Sequence, residues 1–207
     1  MIARALRRFA RDQRGTTAME FVLAMPLLIL VIFGVMDVGG YAWQMNLNAK
    51  SVQFGTRVAV VTDSVVDGLA TTEYVGKTIG GTTLTQGDLI PAAALTKVTC
   101  TSASCSCTTG ELASCGLVSA AFNRIVARMS GINGIVKAAN VTVEYRGSGL
   151  GYAGDPGGAQ IAPLTTVTLS GVSYKPIMGL IFGTQAVTMP TYSYTLTMED
   201  GAGTVSN

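Results

Sequence analysis

The residue in this chain best placed to do chemistry is a lone acid, Glu20, at the mouth of an apolar run. From Phe21 to Met36 every residue is apolar, Gly or Pro. An acid inside a membrane span costs roughly 2.5–3.5 kcal/mol near the centre, less near the edge, and usually has a partner. Glu20 is therefore either an interfacial residue or one half of an ion pair. The other reactive groups are Cys100, Cys105, Cys107 and Cys115, which fall within sixteen residues of one another. The chain contains 0 His, so Ser-His and Cys-His catalytic pairs, His metal ligands and the commonest general base are absent. None of its acids forms a catalytic pair, and the residues argue against an enzyme.

The element that positions Glu20 is a helix. Met19 to Val38 is a stretch of 20 residues, about the length needed to cross a bilayer core. Residues 1–15 hold Arg4, Arg7, Arg8, Arg11 and Arg14 against Asp12, a net of +4 within a chain whose total is +2. A basic cluster beside a span stays on the cytoplasmic side. The N-terminus is thus expected inside and the bulk outside, with a nucleic-acid arm the poorer reading of the Arg cluster. Mean hydropathy is +0.42 and charged residues are only 13% of the 207. That length leaves room for one ordinary domain, or two small ones.

A cleaved signal peptide needs a short apolar region and a small-residue cleavage site; here the run is long and MDVGGYAWQM follows it. A plain signal anchor accounts for the length and the Arg flank but gives Glu20 no task. The stretch resembles the leader of type IV pilin-like proteins, specifically the pseudopilins of the TadE-like family. In such leaders a prepilin peptidase cuts after a Gly, and Glu is the fifth residue of the mature chain, followed by an aromatic. Gly15 would end the leader here, Thr16 would become the new N-terminus, Glu20 is fifth and Phe21 sixth. The resemblance extends over Pro26 and an FG-x-x-[DE] pattern at Phe33, Gly34 and Asp37. Departures are mild, with Phe at 21 where Tyr is also common and Thr as first mature residue. Cleavage would create a free α-amine on Thr16, with an ordinary pKa of about 7.7–8.0. In an assembly of parallel stems, Glu20 of one subunit would neutralise that amine on a neighbour, since two costly charges become tolerable as a pair.

Beyond the span, Val38, Ala42, Met45, Ala49, Val52, Thr56 and Ala59 recur every three or four residues and predict one helix from about Thr16 to Val61. Pro26 should kink it. A short helix is expected within Val65–Ile79, another short element within Leu89–Val98, and an amphipathic helix over Leu117–Met129. Alternation predicts strands at 140–146, 164–176 and 191–199, with MGLIFG at 178–183 as an apolar knuckle between the last two. The strand–connection–strand order of this C-terminal half is also similar to TadE-like proteins. Four Cys outside a membrane favour two disulfides. The 105–107 loop is too tight, leaving 100–105 with 107–115, or 100–107 with 105–115. Zinc is the rival, but the C-x4-C-x-C-x7-C spacing lacks paired knuckles.

Three motifs are declined. Gly149, Gly151 and Gly154 make a G-x-G-x-x-G, but Asp155, Pro156, Gly157 and Gly158 follow where a dinucleotide site needs a helix. Gly76-Lys77-Thr78 echoes a P-loop, with Thr71 where the first Gly belongs. Asn140-Val141-Thr142 reads as strand sequence.

The expected fold is α+β: a long N-terminal transmembrane helix continuing into a small extracytoplasmic head with an antiparallel sheet. The expected divisions are a basic leader at 1–15, a transmembrane helix at 16–38, its continuation at 39–62, and a head at 63–207 with a Cys-rich loop at 100–115. The resemblance implies a minor pseudopilin of a Tad (Flp-type) pilus in the bacterial inner membrane, serving pilus assembly or priming and surface adhesion. Its implied partners are the membrane, a prepilin peptidase, other pilins and the inner-membrane assembly platform. No cofactor, metal or nucleic acid is expected. The alternative is an uncleaved membrane-anchored extracytoplasmic module for binding or adhesion.

Overall fold

The computed structural model describes residues 16–156, 159–183, 186–198 and 201–204. Gly15 and the Arg-rich residues before it lie outside the described part. A long apolar helix leads into a small head with antiparallel sheets, an α+β fold of the kind the sequence predicts. The chain divides into two compact units, one of residues 1–43 with 174–187, the other of residues 44–173 with 188–207.

Helix α1 spans Thr16–Val61, 46 residues, and Pro26 lies inside it without ending it. Its apolar length is self-consistent as helix, since Leu, Ala and Met lose little rotamer freedom there. The side chains from Ala18 to Ile29 are all exposed. It is the one described helix long and apolar enough to cross a membrane.

The first unit also contains Tyr174 and a short helix, Ile177–Phe182. The second unit holds the core. In chain order it contains α2 (Gly68–Thr71), the hairpin β1 (Thr78–Ile79) and β2 (Thr82–Thr83), then β3 (Leu95–Cys100), β4 (Cys105–Gly110) and α3 (Ser119–Ile132). The strands β5 (Val141–Arg146), β6 (Leu164–Leu169) and β9 (Tyr192–Thr197) complete a five-stranded antiparallel sheet of order β4-β3-β5-β6-β9. Short β7 (Ser173–Tyr174) and β8 (Val187–Thr188) pair separately.

Period-two alternation decides which sheet face is buried. Val141, Val143 and Tyr145 are buried, as are Thr165, Val167 and Leu169 across the β5–β6 ladder. Also buried in this unit are Ala121, Phe122, Ile125 and Met129 of α3, and Val52, Val58 and Ala59 of α1. Full burial of each large apolar side chain contributes about 1.5–3 kcal/mol. Gly55 lets α1 and α3 approach closely, because a Cβ there would lie 2.6 Å from Met129 Cγ and 3.5 Å from Ile125 Cγ2.

Several elements differ from the sequence expectation. The α1 seam is buried only in its outer half and is broader there: Val52, Thr56 and Ala59 are buried as expected, Asn48, Ser51 and Gly55 join them, and Val38 and Ala42 are exposed. Polarity misleads here because the buried groups are partnered. Asn133 Nδ2 donates to Asn48 Oδ1 at 2.6 Å, and Ser51 Oγ donates to the Asn48 carbonyl at 2.9 Å. The stretch 65–79 holds the short helix expected there, the four-residue α2, but also the unexpected start of a hairpin turned by Gly80 and Gly81, both at positive φ. The strand expected over 164–176 stops at Leu169, where Gly171 adopts φ 67. The apolar knuckle is a helix.

Candidate functional site on the stem

The stem opens with Thr16 as the first residue of α1. Glu20 and Phe21, one turn in, are both exposed, and no described residue pairs with Glu20. An unpartnered carboxylate at the start of an apolar helix is a poor neighbour for lipid and a good one for a cation. Gly15 is outside the described residues, so the Gly15–Thr16 bond has no described geometry.

At the far end of the apolar run the same helix carries a second acid, and this one is satisfied. Helix α4, Ile177–Phe182, begins after Pro176 in extended backbone and ends at Gly183 in the left-handed region. The first amides of any helix lack intrahelical acceptors. Asp37 supplies them: Ile177 N donates to Oδ1 at 2.6 Å, and Met178 N donates to Oδ2 at 2.8 Å. A carboxylate at the positive end of the peptide dipoles is favoured electrostatically as well. Asp37 is accordingly buried although it is an acid.

Tyr174, just upstream of α4, completes the arrangement. Its ring packs edge-on to Tyr41, centroids 5.8 Å apart at 77°. Burial, the Asp37 charge and a hydrogen bond to Asp37 all push its hydroxyl pKa up. The hydroxyl lies over Gly40, in space a Cβ would need. Residues 37, 40 and 41 thus form one helix face against a segment about 140 residues later in the chain. Sequence reasoning marked Asp37 only as part of a motif. The available signals were an acid at the end of a span and Pro176 before an apolar hexapeptide, a helix-start pattern.

The cysteines belong to the other unit. Cys100 pairs with Cys105 and Cys107 with Cys115, one of the two connectivities left open by the spacing. The first closes the β3–β4 hairpin between directly opposed residues. The second ties β4 to the loop before α3. Among the described residues no group of three or more His, Cys, Asp or Glu could hold a metal. A cavity of about 230 Å³ beside β3 and β4 is lined by Leu95, Lys97, Val98, Cys107, Thr108 and neighbours, without an acid–base pair. Glu144 is engaged by Lys97 at 3.0 Å and Arg146 at 2.5 Å, a surface triad of structural use. Gly149, Gly151 and Gly154 all stand at positive φ in a loop, and a bridge pairs Gly151 with Ile161 where a dinucleotide site would need a helix.

The family model described as TadE-like protein matches residues 15–57. No curated protein and no solved structure matches the chain. The matched segment begins at Gly15 and contains Glu20, Asp37, Gly40 and Tyr41, so over these residues the stem is similar to TadE-like proteins.

Proposed function

Proceeding from a stem that is TadE-like over residues 15–57, we propose that this protein is a minor pseudopilin of a Tad (Flp-type) pilus system. It is made with a basic leader at 1–15, inserted with its N-terminus cytoplasmic, and cut by a prepilin peptidase between Gly15 and Thr16. Residues 16–38 span the inner membrane, 39–62 continue the helix outside, and 63–207 form the extracytoplasmic head. The protein serves assembly or priming of the pilus, and surface adhesion, together with other pilins and the assembly platform. It acts without catalysis or cofactor. The observation that supports this reading most is the family match over the continuous helix that carries exposed Glu20 in its second turn.

In this mechanism the new Thr16 α-amine is cationic near neutral pH and Glu20 of an adjacent stem neutralises it. Removing one partner of a buried pair costs about 3–5 kcal/mol, enough to weaken association more than a hundredfold. Two measurements test the reading. Intact mass of protein from its native membranes should correspond to a chain beginning at Thr16. Glu20→Gln should leave cleavage and membrane retention intact and abolish crosslinks to other pilins. A mature chain still beginning at Met1, or normal piliation with Glu20→Gln, would make the uncleaved anchor the better account.

A further inference from the structure

We propose that α4 is a second membrane element, a short interfacial helix that immerses Ile177 and Phe182, with Val187 beyond it, in the bilayer at the end of the span. The inference rests on the membrane reading of the stem and adds to it a lipid-binding surface from a distant part of the sequence. Height along the stem is the first argument. Asp37 lies 18 residues after Met19, about 27 Å along a helix, against a hydrocarbon core of about 30 Å. The two bonds from Ile177 and Met178 to Asp37 hold the first turn of α4 at that boundary.

Surface chemistry is the second. α4 reads IMGLIF, without a polar side chain, and Phe182 is 58% and Ile177 44% exposed. Val187 and, on the stem, Val35, Met36 and Val38 are exposed as well, so the apolar surface of the span continues onto α4 within one compact unit. A cleft of about 260 Å³ lined by Val38, Tyr41, Tyr174, Pro176 and Val187 lies beside Asp37, wide enough for part of an acyl chain. Exposed Trp43, half-buried Tyr41 and Tyr174, and exposed Lys175 are the side chains that occupy a headgroup layer.

Backbone satisfaction is the third. Polar backbone facing lipid must be bonded within the protein. The leading amides of α4 have Asp37, and the helix closes at Gly183, φ 66, a conformation that typically satisfies the last carbonyls. Interfacial helices bury an apolar face about 5–10 Å into the headgroup boundary, and α4 has only apolar side chains to offer there.

The test uses the full chain in liposomes with Trp43 replaced by Phe and a single new Trp as reporter. Phe182→Trp should lose emission to lipids brominated near the carbonyls, and lose less to lipids brominated near the bilayer centre. Ile29→Trp in the same background should show the opposite order and reports the stem separately. Deep quenching at 29 with no quenching at 182 overturns the α4 inference and leaves the stem intact. A blue-shifted Trp at 182 that resists brominated lipid and grows with protein-to-lipid ratio assigns the surface to a second copy, which also overturns it. No quenching at either position removes the membrane stem and the inference with it.

Discussion

Asp37 and Ile177 are 140 residues apart in sequence, yet the Asp37 carboxylate accepts the first amide of α4 at 2.6 Å. With the bond from Met178 at 2.8 Å, the acid closing the apolar run serves as the missing cap of a helix that has none of its own. The arrangement settles two otherwise costly groups against each other, a carboxylate at the end of an apolar run and a pair of orphan amides.

Asp37→Ala should therefore release α4. Hydrogen bonds to charged groups contribute about 1.5–3 kcal/mol each, so amide exchange at residues 177 and 178 should accelerate at least tenfold. Hydrogen-exchange mass spectrometry of the full chain in detergent reads this directly. Asp37→Asn keeps an acceptor oxygen and should fall between. Unchanged exchange in Asp37→Ala would mean that α4 is held by its apolar contacts alone.

Gly39 and Gly40 are adjacent but should respond oppositely to Ala. A Cβ at Gly39 meets open space, whereas at Gly40 it meets the Tyr174 hydroxyl. Gly39→Ala should stabilise the helix by about 0.5–1 kcal/mol. Gly40→Ala should displace Tyr174 and destabilise by about 1–3 kcal/mol, as overpacking does. Thermal denaturation of the two variants compares them, and equal effects would show that Tyr174 moves aside freely.

The disulfides Cys100–Cys105 and Cys107–Cys115 should appear as two separate crosslinked peptides when the protein is digested between Cys105 and Cys107 without reductant. The second spans 8 residues in sequence, and a bridge over so short a loop stabilises by at most about 3 kcal/mol in the chain-entropy model. Replacing Cys107 and Cys115 together by Ser should lower the urea midpoint of the head without abolishing folding. Recovery of 100 linked to 107 would contradict the hairpin register.

Alkaline pH should unfold the head through its buried tyrosines. Burial pushes Tyr145 up to about 12, although the hydrogen bond from Val65 N acts the other way, and burial likewise pushes Tyr74 up to about 12. Both groups are neutral when protonated and have raised folded values. Their contribution is complete below the unfolded value of about 10 and is lost as pH rises from there towards 12. Urea midpoints measured from pH 8 to 12 should fall over that window. Tyr145→Phe should start lower, having lost the acceptor for Val65 N, and fall less steeply. Parallel profiles would show that the Tyr145 hydroxyl titrates alike in the folded and unfolded states, with no upward shift on folding.

Much of the stem was legible in the chain itself. The helix expected from Thr16 to Val61 is the helix present, because the uncharged run from Phe21 to Met36 is rich in good helix formers, and a helix satisfies its backbone bonds within the segment. Strands β5, β6 and β9 were legible for a related reason. Alternation such as Val141, Val143 and Tyr145 suits only a half-buried strand, and the β6–β9 pairing follows the strand–connection–strand order. Glu20 was conspicuous because an acid is so expensive beside Phe21 and Leu23.

What tertiary structure decided are the relations with no local signature. Asn48 and Ser51 face inward because Asn133 and the backbone satisfy them, and no periodicity of apolar residues announces a partnered polar group. The β3–β4 hairpin escaped notice because Cys105 to Gly110 lacks apolar alternation; opposed Cys100 and Cys105 pin it instead. Asp37 capping α4 depends on two segments meeting across most of the chain. Local sequence records the cost of each group alone, an acid at a span and a helix start without a cap, and only the fold brings the two together so that each removes the other's cost.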